Sequence, residues 1–176
     1  MFSDPITNLQ QFHIDPGMSV ADLGSGVGFY TMLLSEIVGP SGSVYAVEVQ
    51  KELLDKLKIE SENRGLKNIK FIWGDLDEIG GTKIRDHSVD RVLIANVLFQ
   101  IEKPESFLTE ANRILKRKTG KILLIDWTDS FGGLGPTPGS VIKPDVARTM
   151  FENANFVFEK EINAGDHHYG LIFKTL

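Results

Sequence analysis

The sequence predicts an α/β fold, a largely parallel sheet with helices on both faces and an antiparallel hairpin at its end. Three observations predict it. Short apolar runs alternate with amphipathic stretches of helical period from about residue 19 to residue 153. Successive runs are too far apart for hairpins and spaced for helical crossovers, which demands parallel pairing. The last two runs are close enough to pair as a hairpin.

The elements follow in order. Residues 1–17 read as a short lead-in with breaks at Asp4-Pro5 and Asp15-Pro16. Val20, Ala21 and Leu23 mark a first strand over about Ser19–Leu23. A helix over about 28–38 carries Met32, Leu33 and Leu34 and stops at Gly39-Pro40. Val44, Ala46 and Val47 suit a second strand, Ser43–Glu48, buried on both faces. The next helix, about Lys51–Asn63, turns Leu53, Leu54 and Leu57 inward, and Gly65 caps it. A third strand, Ile69–Trp73, ends in Gly74-Asp75.

Residues 76–87, with Gly80-Gly81, give only a weak helical pattern. Val89–Ala95 reads as a fourth strand. Pro104 then fits the first position of a helix reaching about Lys116. Lys121–Trp127 is a fifth strand, residues 129–143 a Gly/Pro-rich loop, and Pro144–Asn153 a last helix. Two strands, about Phe156–Ile162 and Tyr169–Lys174, close the chain.

Composition narrows the class. The 176 residues fit one domain, 1–176, with no repeat, linker or low-complexity tract. Apolar content of 41% and a mean hydropathy of −0.08 describe a soluble globular chain without a membrane span or visible leader. The absence of cysteine excludes disulfides, thiolate nucleophiles and cysteine metal sites, and suits the cytoplasm. A net charge of −5 argues against a nucleic-acid face and for a small-molecule or basic-protein substrate. Lys116-Arg117-Lys118 is expected to complement a helix C-terminus rather than bind RNA. Oligomeric state leaves no trace in the sequence.

The chemistry gathers where strands end. In Asp22-Leu23-Gly24-Ser25-Gly26-Val27-Gly28, glycines let the chain turn tightly off the first strand and bring main chain against a ligand. The dinucleotide fingerprint Gly-x-Gly-x-x-Gly would need glycine at 29, where Phe29 stands. That departure favours S-adenosylmethionine over a nicotinamide cofactor. Glu48 closes the second strand, where an acid can accept from both hydroxyls of a ribose; the plainer alternative is a carboxylate at a helix start. Asp75 can accept from the exocyclic amine of adenine while Leu76 packs on the ring; otherwise it is a turn aspartate. Asn96, after the fourth strand, either faces the reactive end of the cofactor or satisfies a helix start. Asp22 either holds the cofactor ammonium and the glycine turn or caps the first helix.

These motifs resemble the class I S-adenosylmethionine-dependent methyltransferase family, most closely its small-molecule branch with the quinone-biosynthesis domains. The resemblance rests on Val20-Ala21-Asp22-Leu23-Gly24-Ser25-Gly26-Val27-Gly28, Ala46-Val47-Glu48, Gly74-Asp75 and Asp90-Arg91-Val92-Leu93-Ile94-Ala95-Asn96, and covers about residues 15–176. It implies a Rossmann-like doubly wound sheet of seven strands, ordered 3-2-1-4-5-7-6 with strand seven antiparallel. It also implies cofactor contacts at Asp22, Gly24, Ser25, Gly26, Gly28, Glu48, Asp75, Leu76 and Asn96. Phe99 stands where many relatives carry histidine. Arg117-Lys118-Thr119-Gly120 replaces the usual Pro-Gly-Gly turn, and the N-terminal segment is short.

Methyl transfer needs alignment more than a fixed catalytic motif, and a base only where the nucleophile carries a proton. An antiparallel strand seven would bring the 163–168 turn and the 129–143 loop to the active face. His167, His168 and Asp126, with Tyr169, are therefore candidates for substrate contact or proton removal; a solvated His pair is the plain alternative. No metal site is expected at Asp166-His167-His168. Tyr30, Phe99 and Trp127 can line an apolar pocket, whereas Phe29 is expected in the core. Without cysteine an arsenite acceptor is disfavoured. The short N-terminus and long loop suggest an open substrate site, or one closed by a partner. A non-catalytic S-adenosylmethionine- or nucleoside-binding module and, with less support, an NAD(P)-dependent oxidoreductase remain the alternatives.

Overall fold

A computed structural model of the protein describes residues 3–131, 133 and 135–176. Its strands are β1 (Ser19–Leu23), β2 (Ser43–Glu48), β3 (Ile69–Trp73), β4 (Arg91–Ala95), β5 (Lys121–Trp127), β6 (Phe156–Asn163) and β7 (His168–Thr175). They form one sheet in the order β3-β2-β1-β4-β5-β7-β6. The first five pair in parallel, and β7 runs antiparallel to both β5 and β6. This is the order that the resemblance implied.

The helices are α1 (Pro5–Gln10), α2 (Phe29–Val38), α3 (Lys51–Asn63), α4 (Pro104–Ile114) and α5 (Pro144–Asn153). Strand alternation divides the core between the two faces of the sheet. Ile122 and Leu124 of β5 join Phe107 and Ile114 of α4 and Phe151 of α5. Leu123 and Ile125 join Leu9 of α1, Leu34 of α2 and Leu57 of α3. Both faces are thus covered, which is why β1, β4 and β5 are apolar almost throughout. Among the described residues no helix is long and apolar enough to cross a membrane.

Four local features depart from the sequence expectation. The lead-in folds into α1, with Asp4 capping it through Ile6 N at 3.1 Å and Thr7 Oγ1 at 2.6 Å, and Pro5 in its first turn. Gln11 beyond it trades two hydrogen bonds with the main chain of Asn163, at 3.1 and 3.3 Å. β4 begins at Arg91, since Val89 makes only an isolated bridge to Leu115. α4 ends at Ile114, so Lys116-Arg117-Lys118 lies past the helix. Lys116 pairs there with Asp90 at 2.7 Å, and Arg117 Nε donates to His87 Nε2 at 3.2 Å, a better account than a helix dipole.

Residues 76–87 form successive turns rather than a helix. The buried Glu110 of α4 holds them, accepting from Gly80 N at 2.8 Å and from the amide and hydroxyl of Thr82. Arg113 binds both Glu110 oxygens at 2.7 Å and also reaches Asp86. Burial alone would raise the Glu110 carboxyl, but Arg113, Thr82 and Gly80 outweigh it and bring its pKa to about 2.

Candidate functional site

The carboxyl ends of the parallel strands and the start of β7 meet at one edge of the sheet, the position favoured for ligands in doubly wound folds. They surround a cavity of about 590 Å³. The turn after β1 forms its floor. The amides of Gly24 and Ser25 both donate to Val47 O, at 2.9 and 3.0 Å. A Cβ on Gly24 would sit 2.4 Å from Val97 Cγ2, so the turn can press against the segment after β4 only as glycine. A Cβ on Gly26 would meet nothing within 4 Å, and its main chain lines the cavity.

Gly28 does something else. It lies outside the cavity lining, and a Cβ there would come within 2.0 Å of Leu57 Cδ1. The third glycine of the turn lets α2 pack on α3, while the other two shape the cavity.

Two acids support the turn. Glu48, 6% exposed, accepts from Gly26 N at 2.8 Å through Oε2 and from Gln50 N at 2.9 Å through Oε1. Asp22 is buried and accepts from Thr31 Oγ1 at 2.6 Å. Burial, aided by the nearby Glu48 charge, raises Asp22 to a pKa of about 6 against the pull of that hydroxyl. Asp75 closes an Asx turn on Asp77 N at 2.9 Å and still lines the cavity, as does the buried Leu76. Asp77 lines it too and anchors the start of α4 by accepting from Lys103 N at 2.7 Å.

Asn96 occupies the left-handed region at φ 60°, with its amide bonded to Ile125 O at 2.9 Å. Its side-chain Oδ1 is buried without a hydrogen-bond partner, and so is Ser25 Oγ. Both residues line the cavity. Unsatisfied buried oxygens are costly, and here they flank a space that a polar ligand fits.

The far end of the cavity is aromatic. Trp127 and His168 both line it, with ring centroids 4.3 Å apart; Tyr30 of α2 also lines the cavity, with its hydroxyl held by Asn8 Nδ2 at 2.9 Å. Burial first, and then the neighbouring His167, lower the pKa of His168 despite the opposing charge of Asp129. Burial thus favours its neutral imidazole.

Other candidates fall elsewhere. His167 lies outside the lining, stacks on Phe131 at 4.0 Å and contacts Asp129 at 3.0 Å. Asp126 is also outside it. Alternation along β5 sends Trp127 toward the cavity and Asp126 to the other face, beside Tyr169. Burial raises Asp126 to a pKa of about 6 against the amides of Trp127, Leu98 and Phe99, and burial beside Asp126 raises Tyr169. Phe29 overturns its core assignment, being 71% exposed at the cavity rim, because the first turn of α2 faces the opening. Phe99 does not line the cavity.

Several lining residues were not anticipated. Asp77 directly follows the predicted Leu76 and Gln50 lies two residues past Glu48, so a wider reading of each strand end would have found them. Ser3 and Pro5 reach the cavity only because α1 folds over α2, a long-range contact with no local signal.

The family described as "Methyltransferase domain" matches residues 14–159. A crystal structure of a SAM-dependent methyltransferase from Aquifex aeolicus superimposes with a TM-score of 0.89, at 29% identity, over 98% of this chain and 89% of that one. The arsenite methyltransferase of Halobacterium salinarum is 32% identical over 111 residues, 63% of this chain and 27% of its own length. The demethylmenaquinone methyltransferase of a Geobacillus strain is 28% identical over 118 residues, 67% of this chain and 49% of its own. The chain thus spans less than two thirds of the length of these two curated relatives. With the family match running over most of the chain and the sheet order reproduced, the chain belongs to the class I S-adenosylmethionine-dependent methyltransferase family.

Proposed function

We propose that this chain transfers a methyl group from S-adenosylmethionine to a small-molecule acceptor, as a single domain over residues 1–176 working in the cytoplasm. The observation that carries the proposal is the pair of unpartnered oxygens, Ser25 Oγ and Asn96 Oδ1, set in a cavity that also presents Asp22, Glu48 and Asp75. Glu48 would take the ribose hydroxyls on the lone pairs left beside Gly26 and Gln50. Asp75 would accept from the adenine amine, and Leu76 would pack on the base. Asp22 would hold the ammonium group, with the main chain of Gly24, Ser25 and Gly26 around the amino-acid tail. Gly28 supports that turn from behind through its packing on Leu57.

When bound, the cofactor supplies an electrophilic methyl group on a sulfonium. The chain's contribution is alignment, with Asn96 beside the reactive end and the aromatic wall bounding the acceptor. His168, in the wall, would accept a proton from an acceptor hydroxyl. His167 and Asp126 lie outside the cavity and take no part in this proposal. The absence of cysteine keeps arsenic–thiol chemistry out of these 176 residues, whatever the arsenite relative does.

Calorimetry with S-adenosylmethionine, S-adenosylhomocysteine and NADH tests the cofactor, and S-adenosylhomocysteine formation in a metabolite pool tests turnover. Binding of the two adenosyl compounds, with turnover, is expected. Binding of NADH alone would support the oxidoreductase reading, and adenosyl binding without turnover the non-catalytic one.

A further inference from the structure

The acids proposed to hold the nucleoside stand on two separate stretches. Glu48 ends β2, and Val49-Gln50 links it to Lys51 at the start of α3. Asp75 and Leu76 follow the end of β3. Glu48, Val49, Gln50, Asp75 and Leu76 all line the cavity. The separation of the two stretches therefore sets the width of the cavity at this end.

Trp73 binds both stretches from outside the cavity lining. It is the last residue of the edge strand β3 and pairs in register with Glu48. Residues in register on parallel strands point to the same face, so the indole lies on the side of the sheet that α3 covers. There its Nε1–H donates to Val49 O at 2.9 Å, and Lys51 Nζ lies 5.9 Å from the ring centroid. On the other side, the Trp73 carbonyl accepts from Lys83 Nζ at 2.7 Å, within the turns over 76–87.

The link between β2 and α3 needs such a hold. Gln50 caps α3 without a side-chain hydrogen bond. Glu48 Oε1 accepts from Gln50 N at 2.9 Å, and Glu48 O accepts from Gly74 N at 3.1 Å. Both of these bonds act through Glu48, whereas the indole grips the next carbonyl along the chain. Val49 is 56% exposed, so its side chain has little packing of its own to fix it. Close recognition depends on partners behind a wall that lock the groups forming it.

We infer that Trp73 is a positioning residue for cofactor binding, which ties Val49 to the turns after β3 at the separation a nucleoside fits. The inference rests on the methyltransferase reading and adds to it a residue that does not itself touch the cavity.

Calorimetry with S-adenosylhomocysteine on the full chain tests it through a double-mutant cycle. Trp73 is 58% exposed, so Trp73→Phe leaves the core untouched while removing the N–H that Val49 O accepts. Affinity should fall about threefold or more, the scale of one hydrogen bond partly open to water. In the Val49→Ala protein the same change should cost less than about twofold, because the side chain that Trp73 positions is gone. Equal losses in the two backgrounds overturn the inference, since a bond that only stabilised the fold would cost the same in both.

The indole N–H resonance of Trp73, assigned through bonds in the unsubstituted protein, gives a second reading. S-adenosylhomocysteine should shift it and slow its exchange with solvent, and a resonance neither moved nor slowed overturns the inference. Calorimetry separates the two readings. Failure of S-adenosylhomocysteine to bind the unsubstituted protein removes the methyltransferase reading and this inference together. Binding of it with no loss in Trp73→Phe removes the inference alone.

Discussion

Glu48 reaches back to Gly26, and its carboxylate accepts the Gly26 amide at 2.8 Å. The acid proposed to grip the ribose is therefore also the clasp of the glycine turn. On this proposal cofactor recognition and turn geometry share one side chain.

Glu48→Ala should then affect both. It strands the amides of Gly26 and Gln50 at a buried site, at a cost of about 1–3 kcal/mol in stability. S-adenosylhomocysteine affinity should fall by a similar amount in calorimetry. Glu48→Gln keeps one acceptor oxygen and should lose less of each. Wild-type affinity in the alanine variant would remove Glu48 from the site.

Asp22 gives a pH-dependent prediction. With a pKa of about 6 in the free protein, it is mostly protonated below that pH. An ammonium group favours the carboxylate, so binding below pH 6 must expel a proton. Cofactor affinity should decline as pH falls from 7 to 5, and proton release should appear in calorimetry repeated in buffers of different ionisation enthalpy. Asp22→Asn should bind weakly with little dependence on pH.

Stability should move the opposite way at the same residue. A folded pKa raised above the ordinary value of 3.8 leaves stability fully present below that value and lost as pH rises through about 6. Asp22→Asn removes this penalty while retaining an acceptor for Thr31. Without ligand it should be more stable than wild type at pH 8, by about 1–3 kcal/mol, and equal to it near pH 4. Chemical denaturation at the two pH values measures the difference.

Glu110 shows the reverse sign. Its pKa of about 2 means that its contribution is complete above 4.5 and lost as pH falls toward 2. Glu110→Ala leaves Arg113 and the Gly80 and Thr82 amides without their acceptor. The expected loss is about 3–5 kcal/mol, with earlier hydrogen exchange over residues 76–87. Unchanged exchange there would show that the turns hold themselves.

The glycines separate fold from function. Gly28→Ala forces a side chain against Leu57 at positive φ, a combined cost of about 2–5 kcal/mol. Gly26→Ala meets open space and should cost only about 1–2 kcal/mol of backbone strain, yet reduce cofactor affinity more than Gly28→Ala does. Melting temperature and calorimetry, read together, should rank the two variants in opposite orders.

Much of this was legible in the chain. Buried parallel strands write themselves as short apolar runs, so β1, β2, β3 and β5 fall at the residues their patterns mark. Punctuation such as Gly39-Pro40 and Pro144 fixed helix limits. The acids at strand ends were readable because parallel strands all deliver their last residues to one edge. What escaped depended on orientation or on distant contacts. Asp126 and Trp127 are neighbours in sequence, and only the face taken by Leu123 and Ile125 tells which of them enters the cavity. Phe29 looked like core because helical period alone does not show which way a first turn opens. The α1 start was written as Asp4-Pro5, a cap and a first-turn proline, but six residues carry too little periodicity to register.

The bond between Gln11 and Asn163 joins positions 152 residues apart. Such a closure is entropically slow, and it waits for the last hairpin to add to β5. The clasp at Gly26 needs only the first two strands. In refolding experiments Gly26 should gain exchange protection before Asn163. The glycine turn would thus be set before the last hairpin brings His168 to the cavity, so the two ends of the proposed site are assembled at different times.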